Sequence, residues 1–198
     1  MMETRKNEVS KLLKQTGKFP LTGLEILDLG CGRGDWLADF CEWGAEEKKL
    51  HGIEILPDRL EEAVKRFPTA DLRLGSGSDL PWPSGFFDII LQSTVFSSIL
   101  DPKLKEYLAE EMFRVLKSGG FVLWYDFIVN NPWNLHVRGI KVTEIKNMFP
   151  GAEFNFKKTT LAPPITRALA GFSQGLCGFL QNAGFLNTHL LAVIGKNK

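Results

Sequence analysis

Two hydrophobic rhythms alternate along this chain. Short, nearly continuous apolar runs predict strands at Leu24 to Leu29, Lys49 to Ile55, Asp71 to Leu74, Phe86 to Gln92 and Phe121 to Phe127. The first is apolar on both faces, as a central parallel strand covered by helices on two sides should be. Between the runs, apolar residues recur at helical spacing: Trp36, Leu37, Phe40 and Trp43, stopped by Gly44; Leu60, Val64 and Phe67 after Pro57; Leu104, Leu108, Met112 and Val115 after Pro102. Proline opens the last two at a position where its missing N–H costs nothing. Lys117-Ser118-Gly119-Gly120 turns the third helix into the fifth strand.

The two ends follow the same grammar. Residues 5 to 16 set Val9, Leu12, Leu13 and Thr16 against Arg5, Lys6, Glu8, Lys11 and Lys14, which predicts an amphipathic helical flap over 1–20. Beyond the fifth strand the pattern predicts a helix over Thr143 to Phe149, a strand over Glu153 to Thr159, a long helix over Pro163 to Gln181 and a last strand over Thr188 to Ile194. The long helix makes 161–186 an insertion before the final strand. It carries one charge, Arg167, so it calls for cover on most of its circumference.

Composition narrows the class. At 198 residues the chain suits one domain with a sizeable core. Its 24 Lys and Arg nearly balance 23 Asp and Glu, so no strong field argues for nucleic acid as a partner. Cys31, Cys41 and Cys177 are odd in number and widely spaced, which suits reduced thiols in a cytoplasmic protein rather than a disulfide framework or a metal site. No secretory signal is expected at the amino end, and no apolar stretch reaches the about 20 residues of a membrane span.

The candidate chemistry sits where the first strand meets the first of the three helices, at Ile26-Leu27-Asp28-Leu29-Gly30-Cys31-Gly32-Arg33-Gly34-Asp35-Trp36. Glycine at every second position lets the chain turn sharply and lets a ligand lie against bare backbone, while the helix N-terminus behind it favours an anionic group. A dinucleotide turn needs a third glycine where Asp35 stands, and a phosphate loop needs a Gly-Lys-Ser/Thr that is absent. What remains, D-x-G-x-G-x-G, resembles motif I of the class I S-adenosylmethionine (SAM)-dependent methyltransferases. Gly75-Ser76-Gly77-Ser78-Asp79-Leu80-Pro81-Trp82-Pro83 is similar to the G-D-A-x-x-L-P-F loop of the subgroup that includes the quinone-biosynthesis methyltransferases, and Arg114-Val115-Leu116-Lys117-Ser118-Gly119-Gly120 resembles its R-x-L-K-x-G-G signature. The resemblance spans residues 24 to 128.

It implies a Rossmann-like, doubly wound α/β fold: a seven-stranded sheet in the order 3-2-1-4-5-7-6, strand 7 antiparallel, helices on both faces. It also implies SAM as cofactor and S-adenosylhomocysteine as product. Carried over residue by residue, cofactor contacts fall on Asp28, Gly30, Cys31, Gly32, Gly34, Glu54, Ile55, Ser76, Gly77 and Gln92. Glu54, at the tip of the second strand, is placed to accept hydrogen bonds from both ribose hydroxyls of an adenosine across the turn. The family's adenine-binding Asp is replaced by Ser76, so that contact is weaker, made by backbone, or taken over by Asp79. Gln92 is expected to face the methionine end.

Methyl transfer is chiefly a matter of placement, worth about 7 to 11 kcal/mol. The acceptor pocket is expected from Ser93, Thr94, Asp126, Asn130, Asn131, Trp133, His136 and Arg138. His136 is the candidate base, with Asp126 to orient it or to bind a polar acceptor; His51 and His189 read as structural. Asn131-Pro132-Trp133 is similar to the N-P-P-[YFW] loop of amino-group methyltransferases, but follows the fifth strand rather than the fourth, so no role is carried over. The functional reading is methyl transfer to a small-molecule acceptor, a hydroxyl, on a hydrophobic or lipid-linked substrate. The alternative is a catalytically idle SAM-binding sensor or partner protein. The expected assembly is a monomer or homodimer, with peripheral membrane contact through the 161–186 insertion.

Overall fold

The computed structural model describes residues 2–130, 134, 136–161 and 187–197, the side chains of 2–4 and 160–161 excepted. The predicted long helix and its insertion, Asn131, Trp133 and Cys177 lie outside the described residues. Strands β1 (Ile26–Leu29), β2 (Leu50–Glu54), β3 (Asp71–Leu74), β4 (Phe87–Ser93), β5 (Leu116–Phe127), β6 (Glu153–Leu161) and β7 (Asn187–Gly195) form one sheet. Its order is β3-β2-β1-β4-β5-β7-β6, as expected. β1 to β5 run parallel, and β7 is antiparallel to both β5 and β6. The order reverses between β1 and β4, which opens a crevice at their carboxyl ends.

Alternation along the strands divides the core in two. Leu27, Leu29, Ile90, Val122 and Trp124 point toward α4 (Pro102–Val115) and α5 (Val142–Met148). Ile26, Ile89, Leu91, Leu123 and Tyr125 point toward α1 (Met2–Gln15) and α2 (Asp35–Glu42). The predicted flap is therefore built into the core, with Val9 and Leu13 fully buried.

Three expectations needed adjustment. In α3 (Pro57–Arg66) the buried positions are Ala63 and the flanking Phe67, while Val64 is 44% exposed. The helix is rotated because Phe67 packs under the Gly34 turn. β5 starts at Leu116, five residues early: Leu116 pairs with Phe87, and the ladder resumes at Phe121 with Ile89 past an irregularity. Third, the inward stripe expected from Leu104, Leu108, Met112 and Val115 also takes in Lys105, which is buried on α4 with its ammonium 3.1 Å from Glu144 of α5. His51 is structural as read, buried among Trp82, Phe86 and Phe87, with its ring nitrogens 2.9 Å from Glu25 and 3.4 Å from Asp71.

Candidate cofactor site

The chain leaves β1 through a turn in which the Gly30 and Cys31 amides both donate to the Ile53 carbonyl of β2, at 2.8 and 3.2 Å. This pins the loop to the neighbouring strand. A Cβ on Gly30 would come 2.7 Å from Val95, and one on Gly34 2.7 Å from Phe67, so both glycines are demanded by packing. Gly32 differs: its φ of +55° is left-handed, and nothing lies within 4 Å of the position a Cβ would take. Its bare backbone faces open space, as a ligand lying on the turn requires.

Glu54 ends β2 and is 5% exposed. Its Oε2 accepts from the Gly32 amide at 2.9 Å, and its Oε1 accepts from Ile55 and Leu56 at 2.9 and 3.0 Å. A carboxylate offers about four lone-pair sites, so three amides leave room for one further donor. The three bonds of Glu54 lock turn to strand.

Over the turn lie two compartments that share Gly30, Arg59 and Ser93. One, about 420 Å³, runs between Ile55 and Leu56 on one side and Val95, Ile99 and Leu104 on the other, floored by Gly75, Ser76 and Gly77. This is an apolar slot with polar edges. Ser76 and Gly77 line it as expected, whereas Asp79 does not. The Ser76 and Ser78 hydroxyls lie 2.9 Å apart. Arg114 of the R-x-L-K-x-G-G run secures this loop by donating to the Leu80 and Trp82 carbonyls at 2.8 and 2.9 Å while paired with Glu111. The other compartment, about 370 Å³, is lined by Arg5, Cys31, Gly32, Arg33, Asp35 and Trp36.

Asp28 lies beneath the turn, 1% exposed, and neither carboxyl oxygen has a hydrogen-bond partner. Burial pushes its pKa up to about 7, against the pull of the nearby Arg5 charge. Asp28 lines neither compartment, but an orphaned buried acid so close to the turn marks it as a candidate for function. Cys31 is buried too, and the same burial raises its thiol far above the ordinary range, so it lines the site as an inert group.

The other expected residues separate. Gln92 is fully buried and lines neither compartment; its Oε1 accepts from the Val95 amide at 3.3 Å, and Ser93 and Thr94 take the exposed place. Thr94 holds a left-handed φ of 59°, uncommon for a non-glycine residue and concentrated at functional turns. Asp126 is 1% exposed and does not orient His136: its carboxylate accepts from the Ser97 and Phe127 amides at 3.1 and 2.8 Å. It holds the turn that follows Thr94 instead. His136 is exposed and lines neither compartment. His189 is buried between Tyr125 and Phe127, with ring centroids 4.8 and 4.0 Å away, and burial lowers its pKa to about 4. Arg5 is one of the lining residues that the sequence pattern did not indicate, with Arg59, Val95 and Ile99 among the others. Its one signal was its place on α1 four residues before the buried Val9, hence on the inward face.

With this geometry in view, comparison with known proteins is informative. Residues 26–120 match the family described as a methyltransferase domain. The demethylmenaquinone methyltransferase of Lactococcus lactis is 34% identical over 121 residues, 58% of this chain and 45% of that protein. The nocamycin O-methyltransferase of Saccharothrix syringae is 33% identical over 106 residues, 51% of this chain and 37% of that one. A crystal structure of a SAM-dependent methyltransferase from Archaeoglobus fulgidus superposes with a TM-score of 0.69 at 16% identity, covering 98% and 96% of the two chains. The matching segment is similar to methyltransferases, and the fold is one that SAM-dependent methyltransferases share. The chain spans about half or less of the length of these curated relatives.

Proposed function

We propose that the chain binds SAM across the two compartments and transfers its methyl group to a hydroxyl of a small, hydrophobic acceptor. The observation that supports this best is the agreement of the open backbone at Gly32, the Glu54 carboxylate beside it and the orphaned Asp28 beneath it. When bound, SAM supplies a methyl group on a positive sulfonium. The chain's own residues do the placing: the apolar slot from Ile55 to Leu104 takes the base, Glu54 the ribose and Asp28 the amino-acid ammonium. Ser93 and the constrained Thr94 form the floor where an acceptor would approach, and Asp126 holds that floor rigid through Ser97. The oxygen-directed reading draws support from the Saccharothrix relative, named as an O-methyltransferase. Among the described residues no helix is long and apolar enough to cross a membrane, and no side-chain cluster could hold a metal ion.

A side-chain base from His136 would require its loop to move over the cleft. We therefore expect His136→Ala to change turnover less than tenfold, whereas a general base is worth about 10²- to 10⁴-fold. The test of the whole reading is calorimetry with S-adenosylhomocysteine, followed by transfer of radiolabelled methyl from SAM to fractions of a cell extract. Binding with labelled small-molecule product supports the proposal. Binding with no transfer in any fraction would favour the idle cofactor sensor, and absence of binding would defeat both.

A further inference from the structure

Far from the cleft, β6 closes the strand order, and among the described residues no strand pairs with its outer edge. The direction of its backbone groups follows from β7. The Ile128 amide donates to the Thr188 carbonyl, and Lys196 exchanges bonds with Gly119 and Gly120, so the even-numbered residues of β7 turn to β5 and the odd-numbered ones to β6. Those odd residues pair with Glu153, Asn155 and Lys157, which leaves the N–H and C=O groups of Phe154 and Phe156 pointing outward. At Lys158 the carbonyl already accepts from the Asn187 side chain at 3.2 Å, so the open stretch among the described residues is Glu153 to Lys157. Such an edge is a template for another strand.

The side chains of this stretch are their own complement. Glu153, Asn155 and Lys157 are exposed on the face that carries α1, where Lys157 meets Glu8. Phe154 and Phe156 stack on the other face with ring centroids 5.3 Å apart, and the Lys146 ammonium of α5 lies 5.9 and 6.0 Å from their centres. We propose that two copies of the chain dimerise by pairing these edges antiparallel about a two-fold axis at Asn155. In that register Phe154 and the partner's Phe156 exchange backbone hydrogen bonds, and Asn155 meets the partner's Asn155. Glu153 then stands opposite the partner's Lys157, and symmetry repeats the ion pair on the far side of the axis. Because outward-pointing residues must meet outward-pointing ones, the neighbouring registers centre on Phe154, Phe156 or Lys157. The first sets Glu153 against Asn155, the second Lys157 against Asn155, and the third lysine against lysine. Of these four registers, the Asn155 centre alone opposes unlike charges. Charged residues on an edge ordinarily discourage pairing; here their order admits one self-pairing and penalises its shifted forms. The dimer does not depend on the proposed binding of SAM.

Sedimentation equilibrium on the full chain tests the interface. Wild type should self-associate. Glu153→Lys, which sets lysine against lysine twice across the axis, should weaken the dimer at least tenfold, and Glu153→Lys combined with Lys157→Glu should return it to within threefold of wild type. Cysteines give a second reading that does not depend on charge. Asn155→Cys puts two thiols on directly opposed residues whose Cα atoms lie about 4.5 Å apart, within reach of a disulfide, and should crosslink the dimer on mild oxidation. Glu153→Cys puts them about 14 Å apart along the strands and should crosslink no more than wild type. A wild type that stays monomeric up to its solubility limit overturns the proposal. So does a dimer that Glu153→Lys leaves intact or that the charge exchange does not restore, and so does a disulfide that forms as readily at 153 as at 155. If Lys157→Glu unfolds the chain by facing Glu8, Glu153→Lys and the two cysteine variants decide alone.

Discussion

Replacing Asp28 by Asn should stabilise the protein in the absence of ligand while damaging cofactor binding, and the gain should depend on pH. The carboxyl is held at about 7 against an ordinary 3.8 because it is buried away from water. Since the folded-state value lies above the unfolded one, its contribution is complete below pH 3.8 and is lost as pH rises through 7. At about 1.4 kcal/mol per pH unit the loss reaches about 4 kcal/mol by pH 8, as an order of magnitude. Asn removes the charge but leaves a buried polar group short of partners, which costs about 1–3 kcal/mol. The expected net is a variant more stable than wild type by about 1–3 kcal/mol at pH 8, and equal or less stable near pH 4.5. Urea unfolding of both proteins from pH 4.5 to 8.5 measures it. A stability difference that stays flat across that range would refute the burial argument. Added S-adenosylhomocysteine should narrow the gap at pH 8, because its ammonium partners the ionised acid only in wild type.

Three further outcomes follow from the geometry. Gly32→Ala should cost only about 1–2 kcal/mol of stability, from the left-handed backbone, yet weaken S-adenosylhomocysteine binding at least tenfold, whereas Gly34→Ala should chiefly destabilise by forcing Phe67 aside; urea unfolding and calorimetry on both variants separate the two. Arg114→Ala should lower stability by about 1.5 kcal/mol, allowing for its partial exposure, and weaken adenosine binding, because the loop over Leu80 and Trp82 loses its anchor; an unchanged affinity for adenosine would remove that loop from the site. His189 has a folded-state pKa of about 4 against 6.5, so its contribution is present above pH 6.5 and is lost as pH falls toward 4; His189→Phe should flatten that acid limb of the stability profile, a difference of up to about 3 kcal/mol.

Much of the architecture was legible because it is written locally. Continuous apolar runs place β1 to β4 within two residues, and proline marks the starts of α3 and α4, since burial on both faces and a helix's first turn leave signatures in neighbouring residues. The glycine turn was legible for the same reason: Gly32 must adopt a left-handed φ whatever packs around it. The rotation of α3 was not, because Ala63 or Val64 faces inward according to where Phe67 finds room under Gly34, a contact more than thirty residues away in sequence.

The division runs through the site as well. The sequence alone names the acid at the end of β2 and the acid within β1, because strand and turn fix where their Cα atoms stand. Only the tertiary structure decides what those side chains do: that Glu54 gives three of its lone pairs to amides, that Asp126 holds Ser97 rather than His136, and that Gln92 lies beneath Ser93. Arg5 belongs mostly to the second category. Its spacing to Val9 sets it on the inward face of α1, but it becomes a lining residue because α1 packs with α2 and sets its guanidinium on Trp36. Hydrophobic spacing specifies which face of an element is buried, but the partner a polar group meets depends on elements that arrive from elsewhere in the chain, and that is settled only when they pack together.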